Sequence, residues 1–323
     1  MRTSTIQLFE DRPNVKLTTY LYDPDLEMIG KVKRPAVIIC GGGAYFSCSD
    51  AEGEPVAMNF LAMGYNAFTL KYSTYGVDAF INHFENMERR PQSEYPTQVR
   101  ELARAVLTVK EHAEEWNVDE NKIIICGFSA GAHNTAMMAT MWDNPIVTEY
   151  YNRPAEDFKV AAAILCYPLT DYVYMKEFCK NNLEADIFFR ASNKAFVGIE
   201  APSDGLLREI SPALNVTKNT PPMFIWTTAA DQMVPTQHSL RMAHALSDCN
   251  IPYELHIFEE GQHGLSLGTQ ASAGGKNQID GNVAKWVPLA DAWLKKRFAL
   301  ELQDVVSFDD ADKEIANNIG IEV

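Results

Sequence analysis

The sequence predicts an α/β fold: a mostly parallel central sheet with helices on both faces, an antiparallel N-terminal edge and an inserted cap. Three observations predict it. Short, continuous apolar runs recur along the chain, as strands buried on both faces require. Helical patterns separate them, the alternation that builds a parallel sheet. The N-terminal stretch instead alternates apolar and polar residues, as a half-exposed antiparallel pair does.

Taken in order, residues 5–10 and 15–22 read as two short strands, with 11–14 (DRPN) as the turn between them. Residues 35–40 (PAVIIC) form a buried strand that runs into Gly41, Gly42 and Gly43. A helix is expected around 54–63 and a strand over 65–70. The mixed polar and aromatic stretch 73–96 reads as a loop or small insertion. Val99, Leu102, Val106, Val109, Ala113 and Trp116 step by three and four, one apolar helical stripe. Strands follow at 122–126, 160–167, 223–228 and 253–259, with helices at about 130–142, 235–246 and 283–298. About fifty residues separate the strands at 160–167 and 223–228 and hold the aromatic cluster 186–189 (DIFF). A connection that long is usually functional, so about 171–220 is expected to cap the carboxyl ends of the strands. The chain reads as one domain over 1–323, with an acidic tail from about 300 to 323.

Composition excludes several classes. Of 323 residues, 46% are hydrophobic and 22% charged, an ordinary globular balance. With 28 Lys and Arg against 43 Asp and Glu the net charge is −15, which argues against nucleic-acid or anionic-membrane partners. Six cysteines without a CxxC pair read as reduced thiols of a cytoplasmic protein. The N-terminus shows no apolar signal-peptide core, and no apolar run approaches the ~18 residues of a membrane span.

Gly127-Phe128-Ser129-Ala130-Gly131 matches G-x-S-x-G between a buried strand and a helix. That context places a serine oxygen on a sharp turn at a helix N-terminus, so Ser129 is the candidate nucleophile. A hydroxyl needs a base, and the base needs an orienting acid. His263 and Asp231 follow the last two strands and supply both, in the chain order Ser, Asp, His. Asp231 also reads as an N-cap for the helix at 235–246. The oxyanion formed on attack needs N–H donors. Ala130 is one candidate; Gly42 and Gly43 are the others, with Ala44 open as a substitute.

The remaining histidines are weaker. His133 sits one turn below Ser129 and reads as packing into the sheet. His238 and His244 lie on the helix after Asp231, His256 lies mid-strand, and His83 and His112 are expected to be exposed. No HxH or HExxH spacing occurs, so no metal is expected. Asp171 is the competing acid, read as fixing the cap entrance.

These residues resemble the α/β-hydrolase esterase/lipase superfamily, and within it the bacterial carbohydrate-esterase-like branch with its acetyl-xylan-esterase-like and feruloyl-esterase-like enzymes. The resemblance rests on CGGGAY at 40–45, DAEGEPVA at 50–57, GYNAF at 64–68, KYS at 71–73, GFSAG at 127–131, DQMVP at 231–235 and HIFEEGQHG at 256–264. It covers most of residues 30–298. Three features depart from the pattern: Cys40 stands where His or Pro usually precedes the glycines, Ala132 stands where a glycine usually follows Gly131, and 73–96 is long.

The resemblance implies a serine esterase without a cofactor. Ser129 forms an acyl-enzyme from a short acyl ester, His263 shuttles the proton and Asp231 holds His263. The implied substrate is an acetyl group on a plant-cell-wall-derived oligosaccharide, removed in the cytoplasm after import. A homo-oligomer is compatible with the sequence. A peptidase or amidase using the same triad is the alternative. A non-catalytic ligand-binding protein is a further one, against which the intact triad speaks. A glycosidase with paired carboxylates leaves the serine turn unexplained.

Overall fold

The computed structural model describes residues 1–23 and 32–300. The acidic tail expected at 300–323 lies, from 301 onward, outside the described residues.

β3 (Arg34–Cys40) is buried along its whole length, as a strand covered on both faces must be. Its side chains divide by the strand period. Ala36, Ile38 and Cys40 enter one core; Val37 and Ile39 enter the other. β5 (Val118–Phe128) repeats this, with Ile123 and Ile125 on the first side and Ile124, Cys126 and Phe128 on the second. β4 (Asn66–Lys71), β6 (Ala162–Cys166), β7 (Met223–Thr228) and β8 (Tyr253–Phe258) complete the parallel part. β1 (Arg2–Gln7) and β2 (Lys16–Leu21) form the antiparallel edge. The described residues thus make an eight-stranded sheet in the order β1-β2-β4-β3-β5-β6-β7-β8. The first strand runs Arg2–Gln7 rather than 5–10: it pairs with the whole of β2, Arg2 opposite Leu21 and Gln7 opposite Lys16, and so leaves a hairpin loop longer than a four-residue turn. Leu8 N–H bonds Val15 O at 3.0 Å, and Arg12 lies 3.7 Å from the Phe9 ring centre.

α1 (Glu54–Ala62) and α10 (Trp286–Phe298) bury Val56, Phe60, Trp286 and Trp293 on one face. α3 (Thr97–Glu111), α4 (Ala130–Met141) and α9 (Gln237–Asp248) cover the other. α4 is buried on every side. α5 (Pro145–Tyr151), capped by Asn144, extends this layer. α3 ends at Glu111, short of the predicted stripe. The three-four spacing persists through the following turns, where Trp116 stays buried and stacks on His112 at 4.5 Å.

The two irregular stretches have structure of their own. Within 73–96, α2 (Asp78–Ile81) projects Phe80 toward the carboxyl ends of the strands. Between β6 and β7 lie α6 (Tyr172–Cys179), α7 (Leu183–Val197) and α8 (Asp204–Glu209). Each starts on a residue whose side chain accepts a backbone N–H: Asp171 from Tyr174, Asn182 from Ala185 and Ser203 from Leu206.

Candidate active site

Ser129 follows β5 and precedes α4, with φ 51° and ψ −118°. A non-glycine residue tolerates this only where the surroundings fix it. Here its N–H bonds Cys166 O at 3.0 Å. The flanking glycines are required by close approach. A Cβ on Gly127 would strike Gly131 O and Thr135 Oγ1, and one on Gly131 would strike Cys40 O and Gly41 O. Ala132 is fully buried, so the departure there is a packing choice that leaves the turn intact.

β7 and β8 end beside this turn and deliver the partners. His263 Nε2 is 2.8 Å from Ser129 Oγ, and His263 Nδ1 is 2.6 Å from Asp231 Oδ2. With an ionised Asp231, Nδ1 carries the proton and Nε2 accepts from the serine hydroxyl. The Asp231 side chain is 1% exposed and that of His263 12%. Asp231 Oδ1 accepts the N–H groups of Met233 and Val234, both at 2.9 Å. It therefore closes its own turn and does not cap α9, which begins at Gln237.

The donor loop corrects one expectation. Gly42 N–H points to Glu52 Oε2 at 2.6 Å, so it is already used and leaves the oxyanion set. The N–H groups of Gly43 and Ala130 bond no described residue. Both residues line a cavity of about 310 Å³ together with Ser129 and His263. Ala44 lines it as well, at φ 50°. The cavity walls are mainly apolar: Tyr45, Phe80, Leu169, Tyr172, Phe188 and Phe189. A neighbouring cleft of about 670 Å³ shares Met175, Phe188 and Met233 with it.

The other histidines are bonded away from Ser129, stacked or exposed. His133 packs beneath Tyr45, Tyr172 and Phe196 rather than into the sheet, because α4 turns that face toward α6 and α7. Its Nε2–H donates to Ile210 O at 2.8 Å, its Nδ1 accepts from Tyr45 O–H at 2.5 Å, and burial pushes it down to about 4. His238 Nδ1 accepts from Thr170 and Asp171 N–H. Burial pushes His238 down to about 3. His256 pairs with Glu254 at 2.9 Å and His244 with Asp248 at 3.1 Å. His83 is exposed, whereas His112 is half-buried against Trp116. Asp171 is spent on Tyr174 N–H and on Arg241, 3.2 Å away.

Sequence reasoning missed Glu52 and Tyr167. Glu52 is buried among three acids in five residues, and nothing in that pattern says which one turns inward. Tyr167 O–H donates to Glu52 Oε1 at 2.5 Å and accepts from Ser266 N–H at 3.0 Å. Its ring meets His263 edge-on at 5.0 Å. Among the described residues no cluster of three or more His, Cys, Asp or Glu side chains is placed to hold a metal. None of their helices is long and apolar enough to cross a membrane.

Residues 23–246 match the BD-FAE family model. The chain is 32% identical to endo-1,4-beta-xylanase B of Butyrivibrio fibrisolvens over 78% of its own length and 34% of that protein's. It spans about a third to a half of the length of the curated relatives it matches. The acetyl ester-xyloside bifunctional hydrolase from Caldicellulosiruptor lactoaceticus is 26% identical, with TM-score 0.70 over 91% of this chain and 96% of that one. The carboxylesterase Cest-2923 from Lactobacillus plantarum is 26% identical, with TM-score 0.75 over 94% and 100%. A buried parallel sheet, a serine on a strained strand–helix turn and this matched span agree: the chain belongs to the BD-FAE family of esterase-like α/β hydrolases.

Proposed function

We propose that the protein hydrolyses carboxylic esters through an acyl-enzyme. The observation that carries this reading is the unbroken chain from Ser129 Oγ to His263 at 2.8 Å and from His263 to Asp231 at 2.6 Å, at the wall of a cavity. Ser129 Oγ attacks the ester carbonyl as His263 Nε2 takes its proton. The negative charge on the former carbonyl oxygen meets the N–H groups of Gly43 and Ala130. His263 then protonates the departing alcohol. Water, activated by the same imidazole, releases the acid and restores Ser129. Asp231 keeps the tautomer and stabilises the imidazolium.

The substrate reading is a short acyl ester, an acetyl group on a plant-cell-wall-derived oligosaccharide. The names of two relatives support it, the acetylxylan esterase of Xylanibacter ruminicola and the Caldicellulosiruptor hydrolase. In this reading the segment 171–220 acts as a cap that carries Tyr172, Phe188 and Phe189 over Ser129. A second reading is favoured by the cavity walls: rings on several sides and about 310 Å³ suit an acyl group bulkier than acetyl.

Hydrolysis of p-nitrophenyl acetate near pH 7.5 by wild type and Ser129→Ala tests the chemistry. Turnover by the wild type and a loss of several orders of magnitude in the variant are expected. Equal rates in both proteins would remove Ser129 from the mechanism. Faster cleavage of an aminoacyl anilide than of the ester would turn the reading to an amidase.

A further inference from the structure

Glu52 is a buried carboxylate that the ester chemistry above does not use. Asp50 on its short turn and Glu54 beyond it face solvent, whereas Glu52 is 5% exposed. Placing a carboxylate there is costly unless its charge is met by donors. Its donors are neutral: Gly42 N–H and Tyr167 O–H. Burial accordingly raises its pKa.

One donor belongs to the oxyanion loop and the other, at the end of β6, contacts the His263 loop. Gly42 lies pressed between Glu52 and the serine turn, where a Cβ would stand 2.8 Å from Ser129 Cβ. The carbonyl of the next peptide, Gly42 O, accepts Ser49 N–H at 2.9 Å. A trans peptide points its N–H opposite its carbonyl, so Gly43 N–H is turned the other way. Gly43 lines the cavity with Ser129, and its N–H bonds no described residue. The second donor, Tyr167, receives Ser266 N–H three residues beyond His263 and touches the His263 ring. One carboxylate therefore joins the donor loop to the histidine loop.

We propose that Glu52 is a positioning residue for ester hydrolysis. It holds the Gly42 peptide so that Gly43 N–H faces the oxyanion, it registers the His263 loop through Tyr167, and its negative charge supports the imidazolium. The proposal rests on the roles given above to Ser129, His263 and Gly43. The ionisable groups facing Glu52 are Cys166 on β6, Tyr167 just beyond it, Tyr72 from the end of β4 and His263 from its loop, with Asp231 on the far side of the imidazole. Among the described residues no basic side chain other than His263 contributes there.

The test is the pH profile of p-nitrophenyl acetate hydrolysis by wild type, E52Q, Tyr167→Phe and Ser129→Ala, with a thermal melt of each. E52Q keeps the size and an acceptor for Gly42, removes the charge and turns an NH₂ group toward Tyr167. Its kcat falls about 10²-fold with KM little changed, the cost of a slightly misplaced catalytic group. An anion near His263 favours the imidazolium, so its removal moves the acid limb of kcat/KM to lower pH. A carboxylate that served folding alone would lower the melting temperature without this loss of kcat at unchanged KM. If E52Q melts at assay temperature, Tyr167→Phe decides: it leaves Gly42 anchored, cuts the link to Ser266 and lowers kcat several-fold at unchanged KM. Folded E52Q with wild-type kcat and an unmoved limb overturns the proposal while Ser129→Ala stays inactive. So does wild-type kcat in Tyr167→Phe. An active Ser129→Ala overturns the ester mechanism itself.

Discussion

Asp231 divides its two oxygens between His263 and its own backbone turn: Oδ2 meets Nδ1 at 2.6 Å while Oδ1 accepts the N–H groups of Met233 and Val234. The carboxylate is thus held by its own turn as well as by the imidazole. Asp231→Asn is expected to keep the turn, since its side-chain oxygen still accepts both N–H groups. Its NH₂ then faces Nδ1 and favours the tautomer that leaves Nε2 protonated, unable to accept from Ser129. We expect kcat for p-nitrophenyl acetate to fall on the order of 10³–10⁴, with little change in melting temperature. A loss below tenfold would show that Asp231 does not set the tautomer.

Gly131→Ala tests the packing of the serine turn rather than its chemistry. The added methyl meets Cys40 O and Gly41 O, backbone atoms that cannot rotate away. Either α4 shifts or the donor loop does. The expected result is a stability loss of about 2 kcal/mol or more, together with a large drop in kcat. Thermal melts and assays measure the two effects separately. An unchanged melting temperature would mean that the helix start relaxes freely.

Much of this was legible in the sequence. Runs such as Val37–Ile39 and Ile123–Cys126 are apolar at every position, short and rich in β-branched residues, as strands covered on both faces are. The Gly127-to-Gly131 motif is local, and Asp231 and His263 each follow a recognisable strand, so the three side chains that the structure brings into contact could be named in order. What escaped depends on contacts far apart in the chain. Glu52 and Tyr167 are separated by 115 residues, and Tyr45 and His133 by 88. Gly42 and Gly43 are chemically identical in the sequence, and only the inward turn of Glu52 separates their roles.

His133 gives a pH prediction with a definite sign. Burial holds it near 4 in the folded chain, against about 6.5 when unfolded. Below pH 6.5 the unfolded chain therefore binds a proton that the folded chain refuses, and stability falls as pH drops toward 4. Between pH 6.5 and 5 this amounts to about 1–2 kcal/mol. His238, near 3, acts in the same direction, while Glu52 and Glu101, raised by burial, act in the opposite one. His133→Gln isolates one contribution: its oxygen accepts from Tyr45, its NH₂ donates to Ile210 O, and it cannot charge. The drop in melting temperature from pH 7 to pH 5 is expected to be smaller in the variant by a few degrees. Equal drops would mean that His133 does not stay neutral in the fold.

Phe188 discriminates between the two substrate readings. Its ring belongs to both the catalytic cavity of about 310 Å³ and the outer cleft of about 670 Å³, so it stands between them. It also lies at 6.3 Å from Phe46 and 5.9 Å from Phe84, which steady it from the side of α2. If the cavity takes acetyl, Phe188 limits its depth. Phe188→Ala then joins the two spaces, and the ratio of kcat/KM for p-nitrophenyl hexanoate to that for acetate rises about 3- to 10-fold, the usual worth of a few apolar contacts. If the cavity takes a bulky acyl group, Phe188 is a contact for it. The wild type then prefers hexanoate, and Phe188→Ala lowers that preference. The sign of the change in this one ratio separates a depth limit from a binding wall, and an unchanged ratio removes Phe188 from acyl selection altogether.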